Sequence, residues 1–138
     1  MVFVELTGFS RHQEAILSIR FDVFVKEQGV DPSLEIDGQD PDCLHAIAYT
    51  DGKAAGTGRL LPDGHIGRMA VLPDFRSRGI GSAILRTLIK AAGDRGDRQV
   101  ILASQVHAAP FYKRFGFQTQ GDPFMEAGIE HIHMQLQL

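Results

Sequence analysis

The 138-residue sequence has a single cysteine, Cys43. One thiol excludes an internal disulfide framework and fits a reducing compartment. No apolar run approaches the ~20 residues that span a bilayer. The segment Met1 to Thr7 has no basic start, long apolar core or small-residue cleavage site, so no secretory signal is expected there. Positive charge is also scarce: Lys+Arg total 14 against 17 Asp+Glu, a net charge of -3. Sequence-independent nucleic-acid binding needs a basic face, so that class is set aside. These absences predict a cytoplasmic protein with neither nucleic acid nor membrane as partner.

What is present is a globular composition, 43% hydrophobic and 22% charged. The length is that of one common domain of ~150 residues, so residues 1–138 are read as a single domain. Glycine is abundant, 15 residues or about 11%, against a usual ~7%. Glycine serves where a backbone turns sharply or approaches a ligand closely.

Val2 to Leu6 reads as a strand. Ser10 and Gln13 have capping-box spacing and predict a helix start. Leu17, Phe21 and Phe24 form one apolar stripe on that helix, and Ile16, Ile19 and Val23 another, so it should be mostly buried against a sheet, with Gly29 stopping it. Residues 31–42 read as an acidic loop. Cys43 to Thr50, Lys53 to Leu61 and His65 to Val71 read as three strands of an antiparallel meander, with Asp51-Gly52 as a hairpin turn. Ile84, Leu88 and Ala91, with Leu85, Ile89 and Ala92, predict a helix ending at Gly93. Val100 to Ala103 is a buried central strand. A short helix around Ala108 to Phe115 and strands at Phe117 to Gln120 and Ile129 to Leu138 complete an α+β order.

The chemistry concentrates in Val71-Leu72-Pro73-Asp74-Phe75-Arg76-Ser77-Arg78-Gly79-Ile80-Gly81-Ser82. This segment joins a strand to a helix. Its glycines let successive N–H groups converge at the positive end of the helix dipole, an anion nest suited to phosphate or pyrophosphate. Arg76 and Arg78 add charge-assisted bonds. A dinucleotide fingerprint needs glycine or alanine where Ile84 stands, and no Gly-Lys-Ser/Thr supplies a P-loop.

Arg76-x-x-Gly79-x-Gly81 after Val71-x-Pro73 resembles the acetyl-CoA signature of the GNAT N-acetyltransferases. Phe111-Tyr112-Lys113-Arg114-Phe115-Gly116-Phe117 is similar to their second signature. Phe24-Val25-Lys26-Glu27-Gln28, Asp37, Asp40, His45, Gly128-Ile129-Glu130-His131 and Met134 resemble the ElaA/YjcF-like branch. The resemblance covers nearly the whole chain. It implies a mixed, mainly antiparallel sheet flanked by helices and splayed between the fourth and fifth strands. It also implies acetyl-CoA as co-substrate. On the strand edge Met69, Ala70 and Val71, backbone groups of Met69 and Val71 would meet the thioester and pantetheine. Arg76, Ser77, Arg78, Gly79, Ile80, Gly81 and Ser82 would hold the pyrophosphate. Gln105 stands where many members have Asn, and Phe111 and Tyr112 would adjoin the same arm.

Acetyl transfer to an amine needs a deprotonated amine, an oxyanion donor and a proton for the leaving thiolate. The Met69 N–H is the candidate donor. By spacing Tyr112 reads as a core aromatic beside Phe111 and Phe115; the resemblance implies a general acid. Strand alternation puts Ile129, His131, His133, Gln135 and Gln137 on one face, so both histidines are candidate bases. Glu27 and Glu126 are carboxylate alternatives, and the resemblance favours Glu27, Glu126 and His131 over His133.

Arg59 and Arg68 read as structural ion-pair partners rather than substrate anchors. Cys43 and His45 lie two apart on a strand, but nothing completes a cluster at ligand spacing with His131 and His133, so no metal is expected. Glu35, Asp37, Asp40 and Asp42 offer either a cation-attracting loop or an ordinary solvated one. The expected activity is acetyl transfer from acetyl-CoA to a primary amine, on a small molecule or a protein, in a ternary complex. The alternative is a non-catalytic CoA-binding regulatory module. The oligomeric state is open, a homodimer included.

Overall fold

The computed structural model describes all 138 residues, Met1–Leu138. Strands β1 (Val2–Thr7), β2 (Leu44–Thr50), β3 (Lys53–Leu60) and β4 (Ile66–Val71) form an antiparallel meander in that order. Strands β5 (Gln99–Gln105), β6 (Gln118–Glu126) and β7 (Ile129–Gln137) form a second antiparallel sheet, ordered β5-β7-β6. The sheets touch at a parallel bridge between His65 and Ile101, where Ile101 N–H donates to Gly64 O at 3.1 Å. From there β4 and β5 diverge without further pairing. This is the splay between the fourth and fifth strands.

Helices cover both faces. Helix α1 (Gln13–Arg20) continues as a π-helix over Phe21–Glu27, and Ile19 and Val23 pack on Ala70 of β4. A four-residue helix, α2, follows at Pro32–Glu35. On the other face α3 (Ile80–Asp94) buries Ile80, Ile84, Leu85, Leu88, Ala91 and Ala92 in the main core, with Ala46, Ala48, Leu60, Val100 and Met134. Helix α4 (Ala109–Lys113) follows β5 after one 3-10 turn. Gly58 permits the close seat of α3: a Cβ there would stand 2.6 Å from Met69 Sδ and 2.9 Å from Ile84 Cγ2. No helix is long and apolar enough to cross a membrane.

Four local expectations need correction. Ser10 forms no side-chain cap; Ser10–His12 is a 3-10 turn, and α1 starts at Gln13. Only the Ile16, Ile19 and Val23 stripe is buried, whereas Phe21 is exposed and lines a shallow groove with Leu17, Val25, Pro32 and Ile36. Helix α3 runs one residue past Gly93. Strand β6 reaches Glu126 because a bulge between Gln120 and Phe124 interrupts, rather than ends, its pairing with β7.

The acidic segment is the largest departure. It forms α2 and a 3-10 turn at Asp40–Asp42, and three of its carboxylates face arginines. Arg20, fully buried, donates to Glu35 and to Asp40, the latter at 2.7 Å. Arg59 donates to Asp37 and Asp40, each at 3.0 Å through Nη1. Arg68 reaches Asp37 at 3.3 Å and Glu35 O at 3.0 Å. Glu35 and Asp40 are thereby buried in an internal ion-pair network that also ties down Asp37, whereas Asp42 stays exposed.

Candidate active site

Strand β4 carries one extra residue. Thr57 pairs with Ala70 and Arg59 with Gly67, so Gly58 alone faces Arg68 and Met69. Arg68 adopts a left-handed φ of 50°. Such a bulge leaves a residue out of the ladder and bends the strand. Here it places Met69 at the point of divergence from β5. The Ala70 side chain packs under α1, which leaves that residue only backbone groups to offer a ligand.

Beyond β4, Pro73–Phe75 makes a 3-10 turn and the chain passes through Ser77 (φ 64°) and Gly79 (φ 77°) into α3. The first hydrogen bond there runs from Ala83 N–H to Gly79 O at 3.0 Å. The N–H groups of Ile80, Gly81 and Ser82 thus lack a partner one turn earlier. No turn or cap bond engages those of Ser77, Arg78 and Gly79 either. Six successive amides open at the positive end of a 15-residue helix, an arrangement that binds phosphate oxygens. Gly81 lies against Phe111, whose Cζ would be 3.6 Å from a Cβ there. Arg78 lies over the Phe75 ring, 5.5 Å from its centroid.

Arg76 does not extend toward the amides. Its Nε donates to Val71 O at 2.9 Å, and its Nη atoms donate to both Glu27 oxygens at 2.7 and 2.6 Å. Those bonds hold the Glu27 carboxyl below the usual carboxylate range. A carboxylate so engaged is a weak proton acceptor, which counts against Glu27 as the base. Gln105, the last residue of β5, is also engaged: its Nε2 donates to Gln28 Oε1 at 2.8 Å and its Oε1 pairs with His107 Nε2 at 2.7 Å. Neither Gln28 nor His107 was expected on the site. Their partners are remote or lie outside any repeating pattern, so only the fold brings them in.

Tyr112 is packed edge-on against Phe111 and Phe117, with centroids 5.0 and 5.9 Å apart. Its hydroxyl has no partner within the chain, and burial pushes the phenol up to about 12. It therefore stays protonated at neutral pH. Across the splay His131, opposite Gln105 in the β5–β7 register, donates from Nδ1 to Ile129 O at 2.7 Å. This leaves Nε2 as the basic nitrogen of neutral His131, 3.8 Å from Glu126 Oε2. His131 and the exposed His133 both stack on Phe124, at 6.0 and 4.3 Å, so they share a face. Cys43 Sγ donates to Gln39 O, and His45 Nε2 donates to Asp40 O. No three His, Cys, Asp or Glu side chains are grouped to hold a metal ion.

Both the sequence and the overall fold are similar to those of known proteins. Residues 10–138 match the model of the acetyltransferase (GNAT) domain. The chain is 40% identical over 120 residues to YjcF of Bacillus subtilis, named as an uncharacterized N-acetyltransferase; the match covers 84% of this chain and 86% of that one. An acyl-CoA N-acyltransferase structure from Pseudomonas aeruginosa superposes with a TM-score of 0.85 at 30% identity, covering 98% of this chain and 99% of that one. The Escherichia coli ElaA structure gives 0.84 at 28%, with the same coverage. By sequence along nearly its whole length, and by the form of its sheet, the chain belongs to the GNAT acetyltransferase family.

Proposed function

We propose that the protein transfers an acetyl group from acetyl-CoA to a primary amine by direct attack in a ternary complex. The observation that carries this reading is the row of unpartnered amides from Ser77 to Ser82, set beside the open end of the splay. A diphosphate held there leaves the adjoining thioester arm to run between β4 and β5. The Met69 N–H, in the bulge, is assigned to the thioester oxygen, where a fixed donor favours the oxyanion over the ground state. Met69 and Val71 offer the remaining backbone groups of that edge, although the Val71 carbonyl is already shared with Arg76.

His131 is assigned as the base. Its Nδ1–H is tied to Ile129 O, so Nε2 accepts the amine proton, and Glu126 faces the imidazolium that forms. Tyr112 is assigned as the acid that protonates the leaving thiolate. Burial keeps its proton in place until a strong base develops beside it. The acceptor is read as an amine on a small molecule or a protein.

The test is a screen of primary amines and amine-bearing peptides with acetyl-CoA, read as release of the free CoA thiol. Release with an amine, and none without, is the expected result. Binding of acetyl-CoA without release for any amine would favour a regulatory CoA-binding module. Absence of acetyl-CoA binding would overturn the assignment of the amide row.

A further inference from the structure

Strands β4 and β5 are held at both ends of their divergence, by different means. At the closed end they share the His65–Ile101 bridge. At the open end no strand bond joins them. There two adjacent residues at the end of the π-helix reach one to each side. Glu27 takes both Nη bonds of Arg76, whose Nε is fixed on Val71 O, the last carbonyl of β4. Gln28 takes the Nε2 bond of Gln105, the last residue of β5, and His107 fixes the other amide atom.

The helix that carries them is itself seated on β4 through Ile19 and Val23. Its π-turns wind less per residue than α-turns, so neighbouring side chains diverge less. The closing bonds, Gln28 N–H to Val23 O at 3.1 Å and Val30 N–H to Phe24 O at 2.9 Å, hold that widened end. Gly29, at φ 72°, then turns the chain away.

We propose that Glu27 and Gln28 are positioning residues that brace the open end of the splay and set its width for the acyl-pantetheine arm. The inference rests on the acetyl-CoA reading above. The Glu27–Arg76 pair is half-exposed, and such pairs contribute little to global stability. Its effect, with that of Gln28, falls on the separation of the two strand ends. Losing the brace should therefore lower acetyl-CoA affinity more than it lowers the melting temperature.

The experiment is calorimetric titration of the purified full chain with acetyl-CoA, with ligand-free melting measured in parallel. Gln28→Leu should weaken binding roughly 2- to 10-fold, the range that one neutral hydrogen bond covers. Its ligand-free melting temperature should stay within about 3 °C of wild type. Gln28→Glu keeps the acceptor for Gln105 and should retain wild-type affinity. In a Gln105→Leu background, Gln28→Leu should add nothing, because the shared bond is already gone. Glu27→Gln should weaken binding in the same way. Should Gln28→Leu fail to fold, Gln28→Asn, one methylene shorter, breaks the same contact. Wild-type affinity in Gln28→Leu and Glu27→Gln, or a loss fully additive with Gln105→Leu, would overturn the brace alone. A wild-type chain that binds no acetyl-CoA would overturn the functional reading, and the brace with it.

Discussion

Arg20 and Asp40 are joined by a 2.7 Å hydrogen bond between side chains only 1% and 5% exposed. Asp40 also accepts from Arg59, so one buried carboxylate serves two guanidinium groups. Removing it leaves two buried cations short of a partner. Asp40→Ala should cost roughly 3–5 kcal/mol, the penalty of breaking a buried pair by deleting one side. Urea unfolding checks this; a loss below about 1 kcal/mol, the scale of an exposed pair, would contradict it.

The same network makes stability depend on acid. Burial alone would raise the Asp40 carboxyl, but the bonds from Arg20 and Arg59 outweigh it and hold it low. Asp37 is held well below the carboxylate range, chiefly by Arg59. Both carboxyls bind protons more readily unfolded, so their contribution is complete above the unfolded value of about 4 and is lost as pH falls below it. His45 acts earlier: burial lowers its pKa, so the unfolded chain takes up that proton first, from about 6.5 downward. The urea midpoint should decline gently below about pH 6.5 and steeply below about 4. An unchanged midpoint between pH 7 and 3 would refute this.

Gly58 links core packing to the bulge. A Cβ there meets both Met69 Sδ and Ile84 Cγ2, and overpacking of this kind costs typically ~1–3 kcal/mol. Gly58→Ala should lower the melting temperature and, by pushing Met69, lower kcat. Gly67→Ala on the neighbouring strand β4 has open space and should do neither. Equal behaviour of the two variants would show that the bulge is insensitive to this contact.

How much of this was legible follows from the reach of each interaction. The meander, α3 and the amide loop are written in local alternation and in neighbouring glycines, and the structure places them close to expectation. The acidic segment misled because its cationic partners stand 15 to 33 positions away along the chain, as in Arg20–Glu35, Arg59–Asp37 and the Arg68 bond to Glu35 O. Glu27 and Arg76 are 49 apart, and Gln28 and Gln105 are 77 apart. No periodicity records such pairs. The π-helix was hidden for another reason: its apolar residues fit an α-helical stripe, and only the backbone bonds tell the two apart. The role proposed for Tyr112 rests on resemblance, since spacing alone reads it as core; strand alternation marks both His131 and His133, and only the resemblance favours His131.

Gly79 tests the amide row. Its φ of 77° strains most side chains, but nothing lies within 4 Å of a Cβ there, and Asp tolerates the left-handed region better than most residues. Gly79→Asp should therefore fold. Its carboxylate would stand at the helix N-terminus and repel a diphosphate from the same amides. Acetyl-CoA at about 100 times its Kd should stabilise wild type by ~2.7 kcal/mol and leave Gly79→Asp unchanged. Gly79→Asn, equal in shape and uncharged, should respond more than Asp. The same thermal shift in wild type and Gly79→Asp would remove the loop from the ligand site.

Tyr112 offers the sharpest test of chemistry once an acceptor is in hand. Tyr112→Phe removes one oxygen and keeps the ring contacts with Phe111 and Phe117. The hydroxyl has no partner within the chain, so no protein group is orphaned by its loss, and stability and acetyl-CoA affinity should largely survive. The single-turnover rate should fall by roughly 100- to 10,000-fold, the usual contribution of a general acid. Steady-state kcat will understate the loss if product release limits turnover, so the single-turnover rate decides. The pH profile separates an acid from a packing residue. With the phenol pushed to about 12, the wild-type enzyme keeps its acid protonated through the whole stable range, and no alkaline fall traceable to Tyr112 should appear below about pH 10. A substrate whose leaving thiol is more acidic needs less help from a proton donor, so an activated thioester should recover much of the rate in Tyr112→Phe. Wild-type single-turnover rates in the variant, with acetyl-CoA itself, would make Tyr112 a packing residue and leave thiolate protonation to water.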